Sequence, residues 1–167
     1  MRFSAFRHSL SWRRYQFAYV LMAAAWALLF AAISFYWAAG GTFGLSTISP
    51  TITSQLSSPA FIAVIWATGI AKVAAAAVVL ALLLPLPALA SIWITRANVI
   101  IGIGCLAYGG LNMLVQVVAT AGLLPISFDV TSPVALWYLF FWNPFWMLGG
   151  ALFLLAGRAM VSGKSHA

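Results

Sequence analysis

Residues 60–84 read AFIAVIWATGIAKVAAAAVVLALLL. One charged side chain, Lys72, interrupts an otherwise apolar run. A helix of about 20 apolar residues crosses roughly 30 Å of hydrocarbon, so this stretch reads as a transmembrane helix. Three further runs share its character: Phe17–Ala39, Val99–Leu124 and Ala135–Gly157. The breaks between them carry loop chemistry: Gly40-Gly41 and Gly44, the Ser-, Thr- and Pro-rich stretch from Ser46 to Pro59, Pro85 and Pro87, then Pro125 and the polar turn Asp129 to Pro133. Pro144, near the start of the fourth run, predicts a bend. The expected fold is all-α: a polytopic membrane protein built as a four-transmembrane-helix bundle. Residues 1–16 form a basic tail, 17–157 the membrane domain and 158–167 a C-terminal tail.

Composition excludes the soluble alternatives. The 167 residues are 65% hydrophobic and 5% charged, against about 45–50% and about 25% in ordinary soluble domains. Such a chain cannot build the polar shell of a water-soluble enzyme, a nucleic-acid binder or a secreted disulfide scaffold. The net charge of +7 is not a nucleic-acid signal, because the basic residues stand singly or in short groups at the edges of apolar runs, as residues facing anionic headgroups do. Membrane lipids are the expected partners. Cys105 is the only cysteine, which leaves no intrachain disulfide and suits a packing role.

Orientation follows from the same basic residues. Arg2, Arg7, Arg13, Arg14, Arg96, Arg158 and Lys164 lie in the tails or between the second and third spans, while connections 40–59 and 125–134 hold no Lys or Arg. The positive-inside rule then places both termini in the cytoplasm and the only acid, Asp129, outside. Tyr36, Trp37, Trp137, Tyr138 and Trp142 fall near the outer boundary, and Trp12, Tyr15 and Trp93 near the inner one, as interfacial aromatics do. The first run is too long for a signal peptide and ends in Phe35, Tyr36 and Trp37, not in a small-residue cleavage site. It is read as a retained span. The tail before it suits either a short helix in the headgroup layer or a flexible basic segment.

Two features point inward. On the third span, Gly102, Cys105, Gly109, Asn112, Gln116 and Thr120 recur every three or four residues. Small residues permit close helix approach and polar ones bond across helices, so this stripe is expected to face the other spans. On the second span, Lys72 lies twelve residues from either end, with Thr68, Gly69, Ala75 and Ala76 as helical neighbours. A central Lys costs about 2.5–3.5 kcal/mol on insertion scales, so it should turn into the bundle and find acceptors. Asn112, Gln116, Asn143, Thr68 and Tyr108 are the expected partners. The amine is either charged and held by such neutral groups, or uncharged. Its functional reading is an amine that binds an anionic or carbonyl group or carries a proton; the plainer reading is a satisfied packing residue.

Catalytic constellations do not form. His8 and His166 lie in the tails, Cys105 is isolated and Asp129 is the single acid. That leaves no metal set, no Ser/His/Asp arrangement and no paired carboxylates. No cofactor, metal or catalytic residue is assigned.

Phe35-Tyr36-Trp37-Ala38-Ala39-Gly40-Gly41-Thr42-Phe43-Gly44 and Asn143-Pro144-Phe145-Trp146-Met147-Leu148-Gly149-Gly150 resemble two signatures of a family of small bacterial four-span membrane proteins classified only as a domain of unknown function. The first matches an aromatic-Trp-x-x-Gly-Gly-x-x-Gly pattern at the end of the first helix, with Phe35 where that family often has a polar residue. The second matches a Pro-containing run leading to glycine in the fourth. The resemblance implies a multi-pass protein of the bacterial plasma membrane and supplies no activity. In physical terms, Trp37 anchors the first motif while its glycines turn the chain, and Asn143 caps or bridges helices beside Pro144.

Three functional readings follow. The first is a non-enzymatic bundle that binds a lipid-like or small apolar ligand, or supports other membrane subunits, through Lys72, Asn112, Gln116, Asn143, Tyr108 and Trp37. The second is a transporter or channel component that uses Lys72 within an oligomer. The third is a lipid-modifying membrane enzyme with Lys72 as base or Schiff-base amine; the absent acid, His and metal weigh against it.

Overall fold

Helices stop where glycine and proline stop them. In the computed structural model, the described residues are 2–123 and 132–164, with side chains over 15–123 and 132–158. Helix α1 (Arg2–Ala38) runs without a break through the basic tail and the first span. At about 1.5 Å per residue it is long enough for both. The tail backbone is thus a helical extension of the span. Gly40 and Gly44 then adopt left-handed φ of 91° and 81°, a region that costs glycine nothing, and the chain turns back.

The connection that follows is folded, where the sequence suggested a loop. A 3₁₀ turn (Leu45–Thr47), the short helix α2 (Pro50–Ser54) and a second 3₁₀ turn (Gln55–Ser57) succeed one another. Its Ser and Pro residues act as helix-start signals: Ser49 Oγ accepts from the Thr51 N–H, and Pro50 takes the first helical position, where its missing N–H costs nothing. Leu45, Ile48, Ile52 and Leu56 thereby share one face, which lies on the bundle.

Helix α3 (Pro59–Ala81) is the second span and α4 (Ala88–Thr120) the third. The third helix starts well before the Val99 expected for it. Pro87 caps it, and Ser91 and Thr95 fit inside because the Thr95 hydroxyl donates back to the Ser91 carbonyl at 2.8 Å. Arg96 lowered the apparent hydropathy of this first part, and its guanidinium lies 5.2 Å from the Trp93 ring. Leu124, Pro125 and the turn from Asp129 fall outside the described residues, apart from Ser132 and Pro133. The fourth span joins α5 (Pro133–Trp137), a π-helical turn (Tyr138–Trp142) and α6 (Asn143–Lys164).

That π turn is how the helix accommodates Pro144. Proline lacks an N–H and its ring crowds the carbonyl four residues back. The Asn143 N–H reaches to Tyr138 O, five residues back, and this wider turn makes room. The sequence anticipated a bend; the structure shows a π bulge, a device that recurs at functional sites.

Four helices, Tyr15–Ala38, Pro59–Ala81, Ala88–Thr120 and Pro133–Arg158, are long and apolar enough to cross a membrane. They pack in the order α3, α1, α6, α4: α1 meets α3 and α6, α6 meets α4, and α3 scarcely touches α4. The bundle is therefore an arc whose weakest joint between neighbours is the one between α3 and α4. Its core lies along α1 and α6, where Val20, Ala23, Ala27, Phe153 and Ala156 are completely buried. Trp26 joins the two helices. Its ring lies 5.3 Å from Phe145 and 6.3 Å from Phe153, and its indole N–H donates to Phe145 O at 3.0 Å. Gly149 faces the Trp26 ring, and next to it Gly150 meets the backbone of Gly102 and Leu106 on α4. Adjacent glycines thus let one helix approach two neighbours, the close contact that replaces hydrophobic driving force inside a bilayer.

Candidate functional site

Phe30 and Ser34 lie one turn apart on α1 and face Lys72 of α3. Lys72 Nζ donates to Ser34 Oγ at 2.8 Å and stands 4.3 Å from the centre of the Phe30 ring. The Ser34 hydroxyl passes its own proton to the Phe30 carbonyl at 3.3 Å. Lys72 does turn into the bundle: its hydrogen bond goes to the first span, and of the third-span stripe it faces Cys105, while Asn112 and Gln116 bond elsewhere. Helical side chains lean toward the N-terminus of their own helix, so the amine is carried toward the end of the bundle that holds connection 39–58. There its neighbour is α1.

The expected partners separate into three groups. Thr68 and Tyr108 line a cavity beside Lys72, although the Thr68 hydroxyl donates to Ile65 O of its own helix at 2.8 Å. Gln116 and Asn143 bond to each other, Asn143 Nδ2 donating to Gln116 Oε1 at 3.0 Å, while Gln116 Nε2 donates to Ala135 O at 3.2 Å. This pair fastens α4 to the fourth span and leaves Lys72 alone. Asn112 is exposed, and its amide donates to Tyr108 O, one turn back on the same helix. Gly102, Cys105 and Gly109 are buried, so the stripe faces inward over its first half. It fails at Asn112, two turns beyond Cys105 on a side that α3 does not cover.

The cavity measures about 170 Å³. Phe30, Ser34 and Trp37 of α1, Lys72 of α3, and Tyr138, Trp142 and Trp146 of the fourth span form its base and walls, and Leu45, Ile48, Ile52 and Leu56 cover it. Of its lining residues only Thr68 and Tyr108 are exposed. The mouth thus lies between Thr68 of α3 and Tyr108 of α4, where these helices meet least, and faces sideways.

Both sequence signatures build this cavity. In the first, two aromatic side chains grip the backbone of one residue: the Trp37 indole donates to Phe43 O at 2.9 Å, and Tyr36 Oη accepts from the Phe43 N–H at 3.2 Å. Trp37 is therefore a clamp that holds the covering segment as well as a wall residue. In the second, the π turn sets Trp142 toward that segment, where its indole N–H is shared between Thr47 O and Thr47 Oγ1, both at 3.2 Å. Asn143 is buried, and its Oδ1 has no hydrogen-bond partner among the described residues; the same holds for Oδ1 of buried Asn98, whose amide donates to Phe153 O at 2.6 Å.

Sequence reasoning passed over Phe30, Ser34, Asn98 and the covering face. Ser34 and Asn98 are polar residues within long helices, which is itself a signal inside a membrane. The covering face could have been found from the spacing of Leu45, Ile48, Ile52 and Leu56.

Fold and cavity together define a multi-pass membrane protein with a side-opening, aromatic-walled pocket and one lysine at its base. Residues 27–153 match the family described as "Protein of unknown function (DUF3995)", and the chain belongs to that family. The match takes in both signatures and every residue that lines the cavity. No curated protein and no solved structure matches the chain.

Proposed function

We propose that this protein is a non-enzymatic membrane component that holds a lipid-like or small apolar ligand in the cavity above Lys72. The carrying observation is the cavity itself. At about 170 Å³ it is comparable to an engineered apolar cavity of about 150 Å³ that binds benzene. Its walls are aromatic, and its mouth between Thr68 and Tyr108 opens toward the position of the acyl chains. A lipid-soluble molecule could enter without crossing water.

The test uses bromobenzene, whose bromine quenches tryptophan emission. With Trp37, Trp142 and Trp146 in the wall, quenching in nanodiscs is expected to contain a saturable component beyond that of free tryptophan in the same lipid. Thr68→Phe, which narrows the mouth at an exposed position, should remove that component. Quenching without saturation would overturn the reading.

Replacing Lys72 with Met should leave the fold intact. Among the described residues the amine is held by the neutral Ser34 and Phe30 and interacts with the Cys105 thiol, and apolar replacement of a buried charge is often neutral or stabilising. Ser34 keeps its bond to Phe30 O. Monodisperse protein with a melting temperature within a few degrees of wild type is the expected result, and loss of folded yield would make Lys72 a structural residue.

The orientation with both termini in the cytoplasm of a bacterial plasma membrane belongs to the same proposal. It is supported by basic residues in the tails and after the second span, and by their absence from connections 40–59 and 125–134. A C-terminal tag should be protected from external protease in spheroplasts; cleavage in intact spheroplasts would reverse the assignment.

A further inference from the structure

We infer that the cavity ligand is a monocarboxylate with a compact or chain-like hydrocarbon body, its carboxylate set on Lys72. This rests on the cavity reading above and assigns its chemical class. A lysine ammonium has three N–H donors and no acceptor. One goes to Ser34 Oγ, and the Phe30 ring face takes up part of the charge. Ser34 is an uncharged acceptor whose own proton is donated to Phe30 O, so it brings no charge to match the ammonium. Every partner of the amine is neutral, so an anion in the cavity completes an ion pair where the dielectric is low and such pairs interact strongly.

The rest of the cavity narrows the class. Among the described residues no second cation lines it, so a dianionic phosphate would bring one charge more than the site can match. An aromatic wall favours a cation in principle, but Lys72 at the base repels one. The volume admits about one ring or the first carbons of a chain, and the gap between Thr68 and Tyr108 lets a longer chain leave sideways. The only Asp or Glu of the chain, Asp129, lies outside the described residues. Cys105, the acidic side chain that interacts with the amine among the described residues, is a thiol and brings no carboxylate charge, and the test includes Asp129.

Binding is measured in nanodiscs of phosphatidylcholine by tryptophan quenching, with 4-bromobenzoate as the carboxylate probe and 4-bromobenzyl alcohol as its neutral counterpart. Wild-type protein should prefer the carboxylate, and Lys72→Met should weaken it about tenfold or more, as loss of a charge-assisted hydrogen bond does, while changing the alcohol little. Competition with decanoate and with benzoate separates the sources: stronger displacement by decanoate identifies a fatty-acid headgroup, stronger displacement by benzoate a free compact acid. Equal binding of both bromo probes overturns the carboxylate assignment but leaves the apolar cavity reading standing. Saturable binding of neither probe nor of bromobenzene overturns both. A carboxylate preference that emerges only in Asp129→Asn makes Asp129 the counterion and also overturns the inference.

Discussion

Gly150→Leu is expected to leave no monodisperse protein in detergent, and Gly150→Ala to lower stability by about 1–3 kcal/mol. A β-carbon at this position would sit 2.6 Å from Gly102 O and 2.7 Å from the Leu106 nitrogen. These are backbone atoms of α4, which cannot turn aside as the end of a side chain could. The two helices would have to part by most of an ångström, and contacts along the whole α4–α6 seam would loosen. Alanine gains about 1 kcal/mol over glycine in intrinsic helix propensity, so the net loss at Gly150→Ala measures packing against propensity. Size-exclusion profiles and reversible SDS unfolding of the three proteins check the order. A Gly150→Leu protein as stable as wild type would mean that α4 and α6 do not cross at this point.

Trp26→Ala is the second large effect, expected to cost about 3–5 kcal/mol, the range for truncating a buried large aromatic. Trp26 is 7% exposed. It touches Phe30 and Phe153 edge-on, lies against Phe145, and donates across the helix interface to Phe145 O. Trp26→Phe keeps most of the ring contacts and loses the hydrogen bond, so it should cost about 1 kcal/mol beyond the packing difference. The alanine variant is expected to release α1 from α6, raising detergent-induced quenching of the remaining tryptophans. If Trp26→Ala unfolds within about 1 kcal/mol of wild type, a magnitude ordinary for surface changes, the α1–α6 joint does not depend on this side chain.

The four spans were legible because a bilayer imposes one simple demand, a long apolar helix, and the sequence meets it four times. Helix ends were less legible wherever a helix continues past the apolar stretch. The first ten or so residues of α4 carry Ser91, Thr95 and Arg96, which lower hydropathy without breaking a helix. The covering segment was hidden for the opposite reason: Ser49 and Pro50 are common in loops, and here they start a short helix. Lys72 was legible as an inward residue, because lipid offers it nothing, but its partner was not. Periodicity shows which residues share a face of one helix; it does not show which helix stands opposite. Asn112 and Gln116 were expected as partners because their stripe on the third span faces inward; the helix that meets the amine's hydrogen bond is α1, with Ser34.

The order of helices around that arc also has a consequence for biogenesis. The two helices at its centre are the first and the fourth of these four spans in chain order. At a bacterial or eukaryotic pace of about 5–20 residues per second, α3 can settle on α1 while the rest of the chain is still being made. α4 then has almost nothing to hold, because its partner is α6. Until residues 143–158 emerge, the nascent protein is one helix pair and one unattached helix, with Asn98 and the glycines of α4 turned to lipid. The final span closes the joint from both sides at once. A chain that stops before this span should be accepted by insertion machinery and recognised by membrane proteases, so completion of the arc is read out by its fourth span.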